Sequence, residues 1–441
     1  MSLKILITNN TLAGRAGTEL YVRDVAIALL KRGLKPIAYS TILGEVAEEL
    51  RRATVPVIDR LESLSTPPDL IHGHHHLETM TALLRFPGVP AIYFCHGWLP
   101  WEEFPPVFPR IMRYVAVDNT CRDRLLYEHA IPETRVRLLY NFVDLERFKP
   151  RSRLPEKPMR ALVFSNTASE NNVLPALREA CRRSNIQLDV AGSGGGNPIQ
   201  RPETVLCNYD LVFAKGRAAL EALAVGAAVV LCDALGTGPM VTTTNVQRLR
   251  SLNFGIRTLQ NPIDSDVLYA EISHYNASDA MQVSSWIRMS VGMNDVLTDL
   301  VALYHEVLEE HRRTLATDYA SDLRAASNYL RQWVPNLTAQ HLERTQHELL
   351  KIKYGRLREE FEQRSEKTSQ EEWDALGRLQ SELDAFRREN ETLQRERARL
   401  EADLTNVYRS PTLRLRNRLV ELPFAGPLLR SCARFLAGRL R

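Results

Sequence analysis

The stretch from Tyr209 to Asp233, YDLVFAKGRAALEALAVGAAVVLCD, has little freedom in how it can fold. Leu211, Val212 and Phe213 make an apolar run of strand length, broken by Lys215-Gly216-Arg217. Ala218 to Leu223 is dense in strong helix formers. Gly226 stands where a left-handed residue closes a helix, and Ala227 to Leu231 is an apolar run suited to a parallel strand buried on both faces. In a strand–turn–helix–strand unit of this kind, the free amides of the helix start point beyond the strand ends and make an anion site. Lys215 and Arg217 add positive charge to it.

The same alternation opens the chain. Leu3 to Ile7 reads as a strand that breaks at Asn9-Asn10 into a loop holding Gly14 and Gly17. Leu20 to Leu30 has helical periodicity and stops at Gly33, before a second strand over Pro36–Tyr39. Glu45 to Ala53 reads as a helix, and further strands end at His72, span Ala91 to Cys95 and span Tyr114 to Val117, with a helix following from Thr120. Residues 145–160 are rich in proline and charge and read as a linker. Alternation resumes at Ala161, through a helix over Leu174–Arg183, a strand over Leu188–Ala191 and the glycine run Gly192–Gly196. Helices are expected between Val267 and Arg331. The fold expected is α/β, two Rossmann-like domains over residues 1–150 and 158–332.

A length of 441 residues accommodates both domains and an extension. A charged fraction of 25% and a net charge of +4 suit a globular protein with no global pull toward nucleic acid. The six cysteines are scattered without a CxxC pair, which suits reduced thiols. The N-terminus turns polar too early for a signal peptide, and no apolar run reaches membrane-spanning length. A cytoplasmic protein is therefore expected.

Beyond Pro335 the character changes. In residues 338–410 charges dominate, and Leu379, Leu383, Phe386, Asn390, Leu393, Arg397, Leu400, Leu404 and Val407 follow the 4-3 spacing of a coiled coil. Leu350, Tyr354, Leu357 and Phe361 repeat that spacing earlier. Self-association through a coiled coil is expected, the alternative being one long solvated helix. Residues 411–441 mix seven arginines with leucine and phenylalanine against a single acid, Glu421. That is the composition of an interfacial anchor on anionic lipid, the alternative being a disordered tail or a hook for a partner protein.

Several segments together resemble the retaining glycosyltransferase family 4 of GT-B architecture, over roughly residues 1–332. GRAGTE at Gly14–Glu19 is similar to the family's glycine loop with its acidic residue. PDLIHGHHH at Pro68–His76 resembles the strand end D-[IV]-[IV]-H-x-H, and FCHGW at Phe94–Trp98 resembles the segment with the active-site histidine, here His96. YVAVDNTCRDRL and YNFVDLERF resemble two later family segments, LDVAGSGGG the strand and glycine turn containing Gly194, and LVALYHEVLEEH the closing helix. GRAALEALAVGAAVVLCD resembles the helix whose glutamate, here Glu221, binds the nucleotide ribose.

The resemblance implies sugar transfer from a nucleotide diphosphate sugar to a glycan or lipid-linked acceptor, without a metal. It implies roles for His96, Lys215 and Arg217 in catalysis, for Gly14, Gly17, Gly194, Gly216 and Glu221 in donor binding, and for Glu19, His74 and Trp98 on the acceptor side. The amides and cations of the loop at Gly216 suit the charge that develops on a leaving diphosphate. The chain departs from the family in three places, one of them the short stretch between Gly196 and Tyr209. Phe213 stands where the family commonly has a second glutamate, and Ser165, Asn166 and Thr167 stand where it has a basic pair. Diphosphate binding then falls to Lys215 and Arg217. With the coiled coil and basic tail, the resemblance implies surface polysaccharide assembly, such as that of lipopolysaccharide, at the inner membrane. The alternative from another class is a GT-B-like scaffold that recruits such enzymes, and an epimerase of the same architecture would need an acid–base set that is not evident.

The remaining motifs have plainer readings. A metal site from His72, His74, His75 and His76 is disfavoured because consecutive side chains of an extended chain point to alternate sides. Asp264-Ser265-Asp266 looks like a metal-binding DxD but precedes a helical stretch, where Asp264 suits an N-cap.

Overall fold

Short apolar runs bounded by polar loops become parallel strands buried on both faces. In the first domain Ile5, Leu6 and Ile7 are wholly buried, as are Ile92, Tyr93 and Phe94. The computed structural model describes residues 2–197, 199–313, 318–363, 374–375 and 377–386. Its elements begin with β1 (Lys4–Thr8), α1 (Gly17–Lys31), β2 (Lys35–Tyr39), α2 (Glu45–Arg52) and β3 (Val57–Ile58). They continue with β4 (Leu70–His74), α3 (His76–Arg85), β5 (Ala91–Cys95), β6 (Ile111–Ala116), α4 (Asn119–Asp123) and β7 (Val136–Leu138). The seven strands form one parallel sheet in the order β3-β2-β1-β4-β5-β6-β7.

The second sheet uses β8 (Arg160–Phe164), α5 (Leu174–Arg183), β9 (Gln187–Ala191), α6 (Pro202–Val205), β10 (Leu211–Ala214), α7 (Gly216–Val225) and β11 (Ala228–Asp233). Then come β12 (Gly236–Met240), α8 (Val246–Ser251), α9 (Ser265–Ser273), α10 (Ala277–Ser290), α11 (Met293–Arg313) and α12 (Tyr319–Gln363). The strand order is β12-β11-β10-β8-β9, parallel except for β12, which runs antiparallel to β11. In both sheets the first strand lies inside, with later strands added on either side. The loops after β1, β4, β8 and β10 therefore open at the switch points where α/β sheets bind ligands.

The expected elements are present, with informative differences. β4 continues two residues past His72, because His72 and His74 find a packed interior rather than a sheet edge. The edge strand β12 was not legible, since Gly236, Gly238 and Pro239 carry no strand signal. The linker is held down: Phe148 is wholly buried, Arg151 N–H donates to the Val225 carbonyl at 2.8 Å, and Arg151 pairs with Asp210 at 2.9 Å. α11 returns to the first domain, where Glu306 accepts from Arg113 at 2.7 Å.

Contacts divide the chain into a unit ending at Ala325 and a second beginning at Ala326. At the end of the first unit, Asp322 of α12 accepts from Arg110 at 2.7 Å. α12 runs on through Pro335, and residues 377–386 are helical. The heptad positions from Asn390 onward and the basic segment 411–441 lie outside the described residues. Of the five described cysteines all are free thiols, and no helix among the described residues is long and apolar enough to cross a membrane.

The turn after β9 depends on two glycines. Gly192 has φ +130°, and a Cβ there would stand 2.0 Å from the Ser165 carbonyl oxygen. A Cβ on Gly194 would stand 2.6 Å from the Ala168 carbonyl oxygen. Gly33, by contrast, has φ +80° but open space around it. Gly192→Ala should therefore destabilise the protein by about 3 kcal/mol, combining backbone strain with a clash that cannot relax. Gly33→Ala should lose only about 1 kcal/mol. Urea denaturation of both variants measures the difference, and equal losses would contradict the packing argument.

Candidate active site

The N-terminal wall of the cleft is a stack of neutral rings. His72 and His74 alternate with Gly73 along β4 and so share a face of the sheet. Their ring centroids are 4.5 Å apart, and His74 lies 4.8 Å from His96, which follows β5. Phe94 stacks on His72 at 4.4 Å, and Tyr21 of α1 meets His96 edge-on at 4.9 Å. His74 Nδ1 and His96 Nε2 share a hydrogen bond of 2.7 Å, and His72 Nδ1 bonds the Tyr304 hydroxyl of α11 at 2.5 Å. Burial disfavours the imidazolium throughout. It lowers His72 to about 3 and His96 to about 4, and pushes His74 well below its usual range.

The backbone of this wall is tied to Glu103. Its carboxylate accepts the His96 N–H at 2.9 Å and faces His75 Nε2 at 3.5 Å. Burial would raise Glu103, but the hydrogen bond and charge of His75, with help from His96, hold it below the usual range.

The C-terminal wall carries charge. The α7 helix begins at Gly216, with φ +58° and nothing within 4 Å of a Cβ position, and its own amide donates to the Phe254 carbonyl at 2.8 Å. Arg217 Nε donates to Glu221 at 2.8 Å and the guanidinium also pairs with Asp24 of α1. Asp24 accepts from Arg23 at 2.7 Å and lies 3.4 Å from Arg147 as well. Burial acts to raise Asp24, but Arg217, Arg23 and Arg147 outweigh it and hold the carboxyl at about 2. Lys215 pairs with Asp233 at the end of β11. Asp233 also accepts from Ser165 at 3.0 Å and from Thr167. Between α1 and residues 200–203 lies a cavity of about 370 Å³, walled by Arg15, Leu20, Asp24, Arg147, Arg201 and Glu221 among others.

The fold thus brings the charge of Arg217 within reach of His96 and puts Glu221 in the cavity wall, but it alters several expected roles. His74 is wholly buried beneath His96, so it supports that ring and does not reach an acceptor. Glu19 is buried too, its carboxyl raised by burial, while Gly17 opens α1 and a Cβ on Gly14 would stand 3.8 Å from Glu19 Oε1. Trp98 lies under the Arg257 guanidinium at 5.4 Å, which also pairs with Asp123 at 2.7 Å. Gly194 serves close packing of its turn. Asp264 caps α9 by accepting from the amides of Asp266 and Val267, and among the described residues no group of His, Cys, Asp or Glu is arranged to hold a metal. Sequence reasoning missed Asp24, Glu103 and Asp233. Asp233 was findable, since it ends an apolar strand at the ligand edge, whereas Asp24 and Glu103 acquire their partners only through tertiary packing.

The buried histidines give a pH signature. Their folded pKa values lie below the ordinary 6.5, so their stabilisation is complete above pH 6.5 and is lost as pH falls toward 4. Burial lowers His76 and His129 to about 4 as well, so five protons excluded from the native state correspond to roughly 7 kcal/mol of stability per pH unit within that window. Urea midpoints between pH 7.5 and 5 should fall steeply, and His72→Asn should flatten the slope by about a fifth. An unchanged slope would mean that His72 titrates normally in the folded protein.

With this geometry in view, comparison with known proteins is informative. Residues 15–147 match the profile described as Glycosyltransferase Family 4. No curated protein matches the chain in sequence. A glycosyltransferase from Rickettsia africae ESF-5 superposes with a TM-score of 0.50 at 15% identity, over 70% of this chain and 99% of that one. Anabaena HepE in complex with UDP-glucose gives a TM-score of 0.51 at 15% identity, over 69% of this chain and 100% of that one. In complex with UDP and glucose it gives 0.50 at 15% identity, over 68% and 99%. The chain has the two-domain GT-B fold, and its residues 15–147 match the family 4 profile.

Proposed function

We propose that the protein transfers a sugar from a nucleotide diphosphate sugar to a glycan or lipid-linked acceptor. The observation that carries this reading is the approach of Arg217, at the start of α7, to His96, together with Glu221 in the wall of a cavity of about 370 Å³. The solved structures of HepE with UDP and with UDP-glucose support a nucleotide sugar as the donor. In this reading Glu221 takes the ribose hydroxyls. Arg217, Lys215 and the α7 amides that follow Gly216 receive the diphosphate, where negative charge grows as the glycosidic bond opens. The neutral His96 meets the sugar without adding a cation beside an oxocarbenium-like centre. The reaction needs no metal in this scheme, and retention of configuration follows the family resemblance.

The coiled-coil spacing of residues 338–410 would join copies of the chain, and the basic segment 411–441 would hold it on anionic lipid at the inner membrane. Both fit an acceptor in surface polysaccharide synthesis. A second reading, a scaffold of the same fold, draws on one observation: Lys215 and Arg217 are already neutralised by Asp233, Asp24 and Glu221. A ligand diphosphate must displace Asp24 from Arg217 to bind.

Thermal shift of the purified protein with UDP, GDP, CDP and ADP decides between the two. A ligand that binds the native state adds about 2.7 kcal/mol at a hundredfold excess over its dissociation constant. One nucleotide is expected to raise the melting temperature, and Glu221→Ala to weaken its binding by roughly tenfold, the loss of about one charge-assisted hydrogen bond. No shift with any nucleotide at millimolar concentration would overturn the enzyme reading in favour of the scaffold.

A further inference from the structure

We propose that Glu103 and His75 are positioning residues that set the orientation of His96. This rests on the preceding reading only in taking His96 as the residue beside the sugar. Glu103 ends the 3-10 turn Trp101–Glu103 and is 4% exposed. A carboxylate so far from water persists only where its oxygens are satisfied. One oxygen takes the His96 N–H at 2.9 Å and the other faces His75 Nε2 at 3.5 Å.

His75 is held from its other side as well. It has φ +60°, uncommon for a residue with a Cβ, and its Nδ1 accepts the Asn10 N–H at 3.1 Å. The charge of Glu103 works to raise the His75 pKa, but the amide on Nδ1 fixes the tautomer and leaves the ring proton on Nε2, toward Glu103. Arg124 closes the arrangement by donating to the Gly97 carbonyl at 2.7 Å and the Glu103 carbonyl at 3.2 Å. One polar chain thus links the loops after β1, β4 and β5. It fixes the amide of His96 and the carbonyl of Gly97, and with them the direction of the His96 ring. The strained backbone at His75 marks where local preference yields to this tie.

The test uses the full-length protein with histidine-selective 15N labelling, together with hydrolysis of the nucleotide sugar whose nucleotide binds. In Glu103→Ala the His96 amide proton is expected to move upfield, having lost its hydrogen bond to a carboxylate. Turnover should fall by roughly 10- to 100-fold, the effect of a misplaced group, while nucleotide affinity stays within about twofold. Glu103→Gln, which keeps an oxygen for the His96 N–H, should recover most of the turnover, and His75→Phe should resemble Glu103→Ala. An unmoved His96 amide in Glu103→Ala would overturn the proposal. So would a loss of turnover that tracks nucleotide affinity and melting temperature in every variant, which marks a general structural tie. If the wild-type protein binds no nucleotide and hydrolyses no donor, the functional reading fails, and the amide shift alone still decides whether Glu103 positions His96.

Discussion

The contact on which the domain arrangement most depends is the desolvated guanidinium of Arg217 between Asp24 and Glu221. Arg217 starts a helix of the second sheet, whereas Asp24 lies on the first helix of the chain, so their ion pair closes one domain on the other. Taking these groups from water costs several kcal/mol each, and their mutual attraction offsets that cost only in good geometry. The depressed pKa of Asp24 says that the geometry is good, since three arginines overcome a burial that would otherwise protonate it. Removing Asp24 would leave Arg217 with Glu221 and Arg147 without its carboxylate partner. The same contact occupies the cation best placed for a phosphate. Closure and anion binding therefore draw on one guanidinium, and they are coupled wherever a ligand competes with Asp24.

Family patterns in a sequence describe residues, but a site conserves charge and position by other routes too. Where the family resemblance leads one to look for a basic pair after the first strand of the second sheet, this chain has Ser165 and Thr167. Both instead hold Asp233, which holds Lys215 from the neighbouring strand end. The positive charge is thus supplied from β10 to the place next to β8. Phe213, standing in for a glutamate, is buried within β10 and belongs to the hydrophobic core.

Much of this was legible beforehand because it is local. The stretch from Tyr209 to Asp233 forms its strands, helix and left-handed Gly226 almost as its composition dictates. Apolar runs, helix formers and glycine stops act over a few residues, and the sheet only selects among outcomes they already favour. The site was half legible for the same reason. His96 and Arg217 sit next to strand ends, and strand ends can be read. Asp24 and Glu103 could not be read, because nothing in YVRDVA or WEEF distinguishes a buried carboxylate from a solvated one. His74 was misjudged since its strand runs two residues longer than its apolar letters. A strand made partly of histidine looks like a loop until the packed interior around it is known.

The two walls of the cleft divide the electrostatic work. The N-terminal wall holds neutral imidazoles, kept so by burial and by stacking on Phe94 and Tyr21. The C-terminal wall contributes Lys215 and Arg217, each matched to a carboxylate. A neutral, polarisable surface tolerates a carbon centre gaining positive charge, while a cationic surface favours the oxygen that gains negative charge. Placing both on one domain would let the cations reach the imidazoles and depress them further, or let the carboxylates reach and protonate them. Carrying them on separate sheets still lets the charge of Arg217 reach His96, and Asp24, on the first domain, pairs with that same guanidinium.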